Sequence, residues 1–280
     1  MSRRVHRSPA AASPKPALAR IALLRERIEH ADTYPFDIPV IAALDVLDVL
    51  ERVLFLVGEN GSGKSTFLEA LALASGFAAE GGTRNFRPPS RMSANRSVDD
   101  AEAPVRRLAD ALRLSWTERR QPDGFFLRTE TFHDFASHLD RSARENEFGP
   151  GYLGSYGGAS LHDRSHGESF LTLFLTRFSS SGFFLLDEPE AALSAARQLS
   201  LLVRMHDLMT DDTRCQFVIA THSPILLAFP GAQIVSFDGS ALREITYRET
   251  DAYNITRRFL SDPDGMLRRL FERDRDARSS

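Results

Sequence analysis

The sequence predicts an α/β fold in which a largely parallel sheet is covered by helices on both faces. Four apolar runs have the length and composition of buried strands, and helical patterns follow several of them. The apolar residues in these runs are continuous rather than alternating, as in strands that are buried on both faces. The runs are residues 52–58 (RVLFLVG), 124–130 (GFFLRTE), 182–188 (GFFLLDE) and 216–222 (QFVIATH).

A hairpin and an inserted lobe complete the predicted architecture. The segment IVSFDGSALREITY has the pattern of two short antiparallel strands, with Asp238 and Gly239 near the turn. Residues from about 87 to 167 carry few strand signals apart from 124–130, which favours a mostly helical lobe inserted into the domain. The expected boundaries are a disordered leader at 1–17, the domain at 18–262 and a charged C-terminal tail at 263–280.

Composition and charge restrict the class of protein. The chain has 280 residues, of which 42% are hydrophobic, and this is enough for a sizeable buried core. A formal net charge of −3 argues against a protein held on nucleic acid by bulk electrostatics, although it is compatible with a local basic patch. The single cysteine permits no intramolecular disulfide, no apolar run is long enough to span a membrane, and the N-terminus lacks a signal peptide's apolar core. We therefore expect a cytoplasmic protein without membrane insertion.

Residues 58–65 (GENGSGKS) match the phosphate-loop pattern G-x-x-x-x-G-K-[ST], between an apolar run and a helical one. Glycines let backbone N–H groups point into such a loop, where they bind phosphate oxygens. Lys64 is one of only two lysines in the chain, and its compact ammonium can reach β- and γ-phosphates as a point charge. Ser65 is expected to bind Mg²⁺, with Thr66 behind it. The residues predicted to contact nucleotide here are Gly58, Glu59, Asn60, Gly61, Ser62, Gly63, Lys64, Ser65 and Thr66.

Two acids end the apolar strand in FFLLDEPE, residues 183–190. Asp187 stands at the carboxyl end of the strand, where a carboxylate can hold Mg²⁺ through its water shell near Ser65. Glu188 follows it and is the candidate to polarise an attacking water. Taken alone, the pattern also fits a strand that runs into a solvated acidic turn, but the phosphate loop favours the catalytic interpretation.

A third apolar strand, in VIATHSP, ends at His222. Ligands of open α/β sheets bind at the carboxyl ends of the strands, so His222 is predicted to hydrogen-bond the γ-phosphate. An arbitrary histidine such as His30 is more often structural than catalytic. Only its position at a strand end favours a phosphate-binding role for His222.

The segments GENGSGKST, FFLLDEPEAAL and ATHSP occur in the order found in the ATP-binding-cassette ATPase superfamily, which the chain resembles from about residue 18 to 262. It looks most similar to small stand-alone ATPases related to RecF and the chromosome-structure ATPases. The resemblance implies a P-loop NTPase fold with a mostly parallel central sheet, flanking helices, an antiparallel β portion and an inserted helical lobe. It also implies hydrolysis of MgATP, with Lys64, Glu188 and His222 as catalytic residues and Ser65 and Asp187 on the metal.

The superfamily carries a signature segment shortly before the acidic strand, and RSHGESFLTLF occupies that place. Ser165, Gly167 and Glu168 match its serine, second glycine and final polar residue. The same residues fit a capped helix N-terminus, because Glu168 lies three residues after Ser165. Both interpretations can hold, since a helix N-terminus also binds anions. In the superfamily this segment contacts the γ-phosphate held by a second subunit, which implies a homodimer that forms around ATP.

Several positions depart from the superfamily pattern. Ser194 stands where an aspartate is usual, and no clear glutamine follows the strand at 124–130, where Glu130 is the candidate substitute. Upstream of the phosphate loop, Tyr34 and Phe36 are candidates either to stack on adenine or to be core aromatics.

The sequence leaves the cellular role open. Kinship to RecF-like proteins and a basic stretch at 87–96 favour an ATPase associated with nucleic acid or defence. Residues 80–91, with two glycines and three arginines, fit a phosphate or nucleic-acid contact as well as a solvated loop. The alternatives are the energy-coupling subunit of a membrane transporter and a nucleotide sensor with little turnover, the latter motivated by Ser194. For an ATPase associated with nucleic acid or defence, we expect an unidentified macromolecular partner, either nucleic acid or protein.

Overall fold

Two β-sheets organise the part of the chain that a computed structural model describes. One sheet has six strands and lies at the centre, and the other has three strands. The described residues are 15–79, 81–84, 98–117, 123–130, 170, 172, 174, 176, 178, 181–210 and 214–278.

The central sheet has the strand order β5-β6-β7-β3-β8-β9. Its first five strands in that order are parallel, and β9 is antiparallel to β8. The mostly parallel sheet predicted from the apolar runs is confirmed, and so is the hairpin predicted from the segment IVSFDGSALREITY, which forms β8 and β9. The strands are β3 (Val53–Val57), β5 (Gly124–Arg128), β6 (Ser181–Asp187), β7 (Arg214–Ala220), β8 (Gln233–Ser236) and β9 (Arg243–Glu244).

The second sheet is antiparallel, with β1 (Leu18–Leu23) between β2 (Val46–Asp48) and β4 (Leu112–Trp116). β4 lies within the region 87–167, which the sequence pattern assigned to a mostly helical lobe. The sequence pattern does not predict this strand, because it has only five residues, LRLSW, and its buried positions alternate with less buried ones. Its apolar signal is therefore weak. A helix does precede it, over Val98–Ala111.

Helices cover both faces of the central sheet. Alternate residues of each strand point to opposite faces, so neighbouring residues of one strand pack against different helices. Leu54 and Leu56 of β3 pack in one cluster with Phe67, and Phe55 packs in a second cluster with Leu201. The second cluster also contains Phe170, Phe174 and Phe178, whose rings contact one another in sequence. The helices are α1 (Pro39–Ala42), α2 (Lys64–Ser75), α3 (Val98–Ala111), α4 (Ala195–Thr210), α5 (Asp251–Ser261) and α6 (Pro263–Arg278).

The segment predicted as a charged tail is helical over Pro263–Arg278. Arginine, leucine and glutamate favour helix formation, so a charged sequence with few apolar residues can still be helical. α5 precedes it and is capped by Thr250, whose hydroxyl accepts a hydrogen bond from the Tyr253 backbone N–H. Within the described ranges, no helix is both long enough and apolar enough to cross a bilayer.

Two buried glutamines join the sheets. The Gln216 side chain on β7 accepts a hydrogen bond from the Leu18 N–H at 2.7 Å and donates to the Leu18 carbonyl at 3.0 Å. Gln233 on β8 accepts from the Leu50 N–H at 2.9 Å and donates to the Asp48 carbonyl at 3.1 Å. The amides therefore satisfy backbone groups of the antiparallel sheet and of the segment that leads into β3.

We predict that Gln216→Leu lowers the free energy of unfolding by about 2–3 kcal/mol, because the buried backbone groups of Leu18 lose both side-chain partners. Urea unfolding of the nucleotide-free protein measures the change. Leu199→Ala, at a half-exposed position on α4, is the control and should change stability by less than about 0.5 kcal/mol. Equal stability of Gln216→Leu and the wild type would show that the amide does not join the sheets.

Candidate functional site

The phosphate-loop segment connects the end of β3 to the start of α2. Gly58–Gly63 form the loop, and Lys64, Ser65 and Thr66 form the first turn of α2. Gly63 has φ +99°, and a Cβ there would lie 2.9 Å from Ile38 Cγ2. Both the backbone conformation and the packing therefore require glycine at this position.

Lys64 is 4% exposed, although it carries an ammonium group. Its Nζ donates hydrogen bonds to the carbonyls of Gly58 at 2.7 Å and Glu59 at 2.9 Å. Burial lowers the pKa of Lys64, and the nearby carboxylates, chiefly Glu188 and Asp238, oppose that shift. The loop thus wraps around a cation, which is the arrangement needed to receive an anion.

Ser65 and Asp187 meet across the site, with the Ser65 hydroxyl donating to Asp187 Oδ1 at 3.0 Å. Asp187 ends β6 and is 8% exposed. Burial raises the pKa of Asp187 from 3.8 to about 6, while the hydrogen bond from Ser65 and the charge of Arg128 act in the opposite direction. A largely buried carboxylate of this kind gains from a cation placed beside it.

Glu188 and His222 lie next to this pair. Glu188 has left-handed backbone angles, φ 47° and ψ 53°, and its half-exposed carboxylate lies 3.7 Å from His222 Nε2. That buried nitrogen has no hydrogen-bond partner in the described part of the chain. The His222 backbone N–H donates to Glu190 Oε1 at 2.5 Å, which fixes the turn after β7. The imidazole is therefore positioned with an unsatisfied polar atom beside the acid.

Two residues that support the site were not predicted to do so. Asp238, expected only near a turn, accepts a hydrogen bond from the Glu59 N–H at 2.7 Å and so braces the phosphate loop. Arg128 forms an ion pair with Glu69 at 3.1 Å, and its Nε lies 3.9 Å from Asp187 Oδ2. Arg128 stands at a strand's carboxyl end, and this position is the signal that could have identified it.

The two aromatic candidates are separated by burial. Phe36 is buried in the core, whereas Tyr34 is 47% exposed and its hydroxyl lies 2.9 Å from Thr66 Oγ1. Tyr34, the phosphate loop, Glu130 and Glu188 line a cavity of about 650 Å³. A second cavity, of about 590 Å³, borders Asn60, Glu188 and His222.

Part of the predicted site falls on residues whose structure is not described. Ser165, Gly167 and Glu168 lie outside the described residues, as does most of the 80–91 segment beyond its Gly81–Arg84 portion. Ser194 is described and exposed, immediately before α4. Its backbone carbonyl accepts a hydrogen bond from the Gln198 N–H at 2.9 Å.

The donors present fit Mg²⁺. The Ser65 hydroxyl and the Asp187 carboxylate are oxygen donors already in contact, and Mg²⁺ prefers one or two protein oxygens, with waters and substrate phosphates completing its shell. In the described ranges, no cluster of three or more His, Cys, Asp or Glu side chains could hold a metal ion by itself. The site therefore suits a cation that arrives with a phosphate ligand.

Asp187→Asn should stabilise the nucleotide-free protein at neutral pH. The pKa of Asp187 is higher in the folded protein than in the unfolded chain, so stability falls as the pH rises from 3.8 to about 6 and then stays constant. Asparagine removes that cost, so we expect a gain of about 1–3 kcal/mol near pH 7.5 that disappears near pH 4.

Urea unfolding at both pH values, with a chelator and without nucleotide, measures this gain. Asp238→Asn is the control, because Asp238 is also a hydrogen-bonded carboxylate of the site but is exposed, so its substitution removes no cost of burial. Its substitution should not give a gain at neutral pH. An Asp187→Asn protein less stable than the wild type near pH 7.5 would contradict the burial argument.

Comparisons with known proteins identify the family of the chain. The family model described as "AAA domain, putative AbiEii toxin, Type IV TA system" matches residues 53–149 and 154–228. A comparison with curated proteins found no significant match. Similar solved structures include a "putative metal-chelate type ABC transporter" in an inward-facing conformation, at 17% identity and TM-score 0.41, over 73% of this chain and 76% of that one.

Another similar solved structure is the SMC head domain from Thermotoga maritima, at 15% identity and TM-score 0.35, over 72% of this chain and 92% of that one. The matched residues include the phosphate loop, the two acids at the end of β6 and His222. Because that match covers more than half of the chain, the protein belongs to this family of P-loop ATPases of the ATP-binding-cassette type.

Proposed function

We propose that the protein binds and hydrolyses MgATP, dimerises around it and thereby drives a conformational change in a partner. The observation that carries the proposal is the juxtaposition of a buried cation with two acids. Lys64 Nζ lies within 2.9 Å of two loop carbonyls, Ser65 contacts Asp187 at 3.0 Å, and Glu188 follows Asp187 directly. These are the groups that phosphoryl transfer requires.

Nucleotide binding is assigned to the cavity that Tyr34 and the phosphate loop line. The backbone N–H groups of the loop and the start of α2 would hold the phosphates, and Lys64 would exchange its carbonyl partners for phosphate oxygens. The buried Ser62 hydroxyl also lacks a partner in the described part of the chain and can contribute a donor. Tyr34, exposed and tied to Thr66, is the candidate to stack on adenine.

Ser65 and Asp187 would hold Mg²⁺, which neutralises phosphate charge when it is bound. Glu188 is placed to accept a proton from a water molecule as the water oxygen attacks the γ-phosphorus. The bond from that phosphorus to the β–γ bridging oxygen breaks, and ADP leaves with the electron pair. His222, through its unpartnered Nε2, would donate a hydrogen bond to a γ-phosphate oxygen and hold the phosphate in line.

The dimer follows from a site divided between two chains. Segment 165–168 corresponds to the superfamily's signature, which contacts the γ-phosphate held by a second subunit. ATP would then bind the closed dimer more tightly than the open form, whereas ADP lacks the group that the signature contacts. Hydrolysis would let the subunits separate, and this cycle would move whatever they carry.

The partner is proposed from the family. Its description names a toxin and a type IV TA system, which supports a defence-related role over transport. A Glu188→Gln protein trapped with ATP, recovered from its native cell, tests this. Recovery of nucleic acid or a soluble protein supports the proposal, and recovery of a membrane permease would contradict it.

Lys64→Ala should lower ATP turnover at least about 100-fold, because the phosphate charge loses its principal protein cation. Lys15→Ala removes the chain's other lysine and serves as the control, with turnover unchanged. Phosphate release measures turnover, and calorimetry measures ATP affinity. Wild-type affinity and turnover in the Lys64→Ala protein would exclude this loop as the nucleotide site.

Glu188→Gln should bind ATP normally and accumulate as a dimer, because the amide cannot accept the water's proton. Light scattering should show twice the monomer mass with MgATP but monomer mass with MgADP. Adding Ser165→Arg, which places bulk where the partner's phosphate lies, should abolish the dimer. If the mass is the same with MgATP, MgADP and no nucleotide, the composite site is wrong.

A further inference from the structure

We propose that Thr129 positions Glu188 for water activation; the inference rests on the proposed role of Glu188. Thr129 is the first residue after β5, whose last residue, Arg128, pairs in register with Asp187. Its hydroxyl lies 2.8 Å from the Glu188 carbonyl oxygen and 3.1 Å from the Asp187 carbonyl oxygen. One side chain just after the neighbouring strand thus contacts the backbone of both acids.

Glu188 needs such support because of its backbone conformation. Among the described residues, it is the one non-glycine residue with a positive φ, at 47°. An L-residue does not favour this region, so surrounding contacts must hold it there. Strain of this kind at a reacting side chain is often part of how a site is preorganised.

The contacts reach the Glu188 backbone from both neighbouring strands. The Glu188 N–H donates to the Ala220 carbonyl at the end of β7, at 2.9 Å. On the other side, the Glu188 carbonyl accepts from the Ala191 N–H at 3.0 Å and from the Thr129 hydroxyl. Ala191 belongs to the same turn as Glu188, so Thr129 supplies the link from the carbonyl to the neighbouring strand β5.

The same contacts distinguish Glu188 from Asp187. The Asp187 carbonyl also faces the Thr129 backbone N–H at 3.4 Å, and that group remains when the side chain is changed. Removing the hydroxyl should therefore affect the orientation of Glu188 more than that of Asp187. Thr129 does not line either cavity beside Glu188, so it acts as a positioning residue and not on the substrate itself.

Thr129→Val tests the inference, because valine keeps the shape and the β-branch but replaces the hydroxyl with a methyl group. We expect kcat to fall about tenfold, while KM for ATP and ATP affinity by calorimetry stay within about twofold. Thr129→Ser, which restores the donor, should recover kcat to within about threefold of the wild type. Loss of packing alone would not produce this pattern.

Thr117→Val is the matched control. Thr117 also follows a strand, β4, and its hydroxyl donates to two successive carbonyls, of Pro16 at 2.8 Å and Ala17 at 3.3 Å. Its substitution should leave kcat unchanged, even if thermal stability falls as it does in Thr129→Val. If Thr129→Val does not fold, Thr129→Ala and Thr129→Ser provide the same comparison, with kcat near that of the wild type expected only in the serine variant.

Two outcomes would overturn the inference while leaving the proposed function intact. One is a Thr129→Val protein with wild-type kcat, provided that Glu188→Gln abolishes turnover in parallel assays. The other is a serine variant that fails to recover kcat. Wild-type turnover in the Glu188→Gln protein would instead overturn the proposed role of Glu188, and the positioning role with it.

Discussion

The site depends on a cation buried inside a loop of its own backbone. Lys64 must keep its ammonium hydrogen-bonded, and in this structure the carbonyls of Gly58 and Glu59 serve as partners. Two further features belong to the same loop conformation: Gly63 has a positive φ, and Asp238 accepts a hydrogen bond from the Glu59 N–H. Carbonyl dipoles are weaker partners than phosphate anions, so the loop is arranged for a ligand that carries more charge.

The acidic side of the site is similarly arranged for a partner. Parallel strands β5, β6 and β7 end at the same edge of the sheet, which places Thr129, Asp187 and His222 close together. Burial makes the Asp187 carboxylate costly, as its raised pKa indicates, and His222 retains an unpartnered nitrogen. Both features lower stability and both favour binding, which is a common compromise at functional sites.

The parts of the fold and of the site that could be predicted from the sequence are those that a local sequence pattern marks. The parallel strands, the phosphate loop and the strand-end acids are each marked by a continuous apolar run or a fixed spacing, so the sequence indicates them directly. β2 and β4 of the antiparallel sheet are short and weakly apolar, and α6 is charged, so periodicity does not reveal them. Arg128 could have been identified by its position at a strand's carboxyl end, but its partners and those of Thr129 are distant in the chain, and the sequence does not indicate these contacts. Tyr34 and Phe36 look alike in sequence, and only burial separates them.

We propose that MgATP binds between Lys64 and the Ser65–Asp187 pair. A crystal structure with a non-hydrolysable ATP analogue and Mn²⁺ in place of Mg²⁺ tests it most directly, because anomalous scattering locates the metal. We expect a manganese peak beside Ser65 Oγ and the Asp187 carboxylate, with Lys64 Nζ turned from the loop carbonyls to a phosphate oxygen. A nucleotide bound with the peak away from these residues, or with Lys64 still on the carbonyls of Gly58 and Glu59, would contradict it.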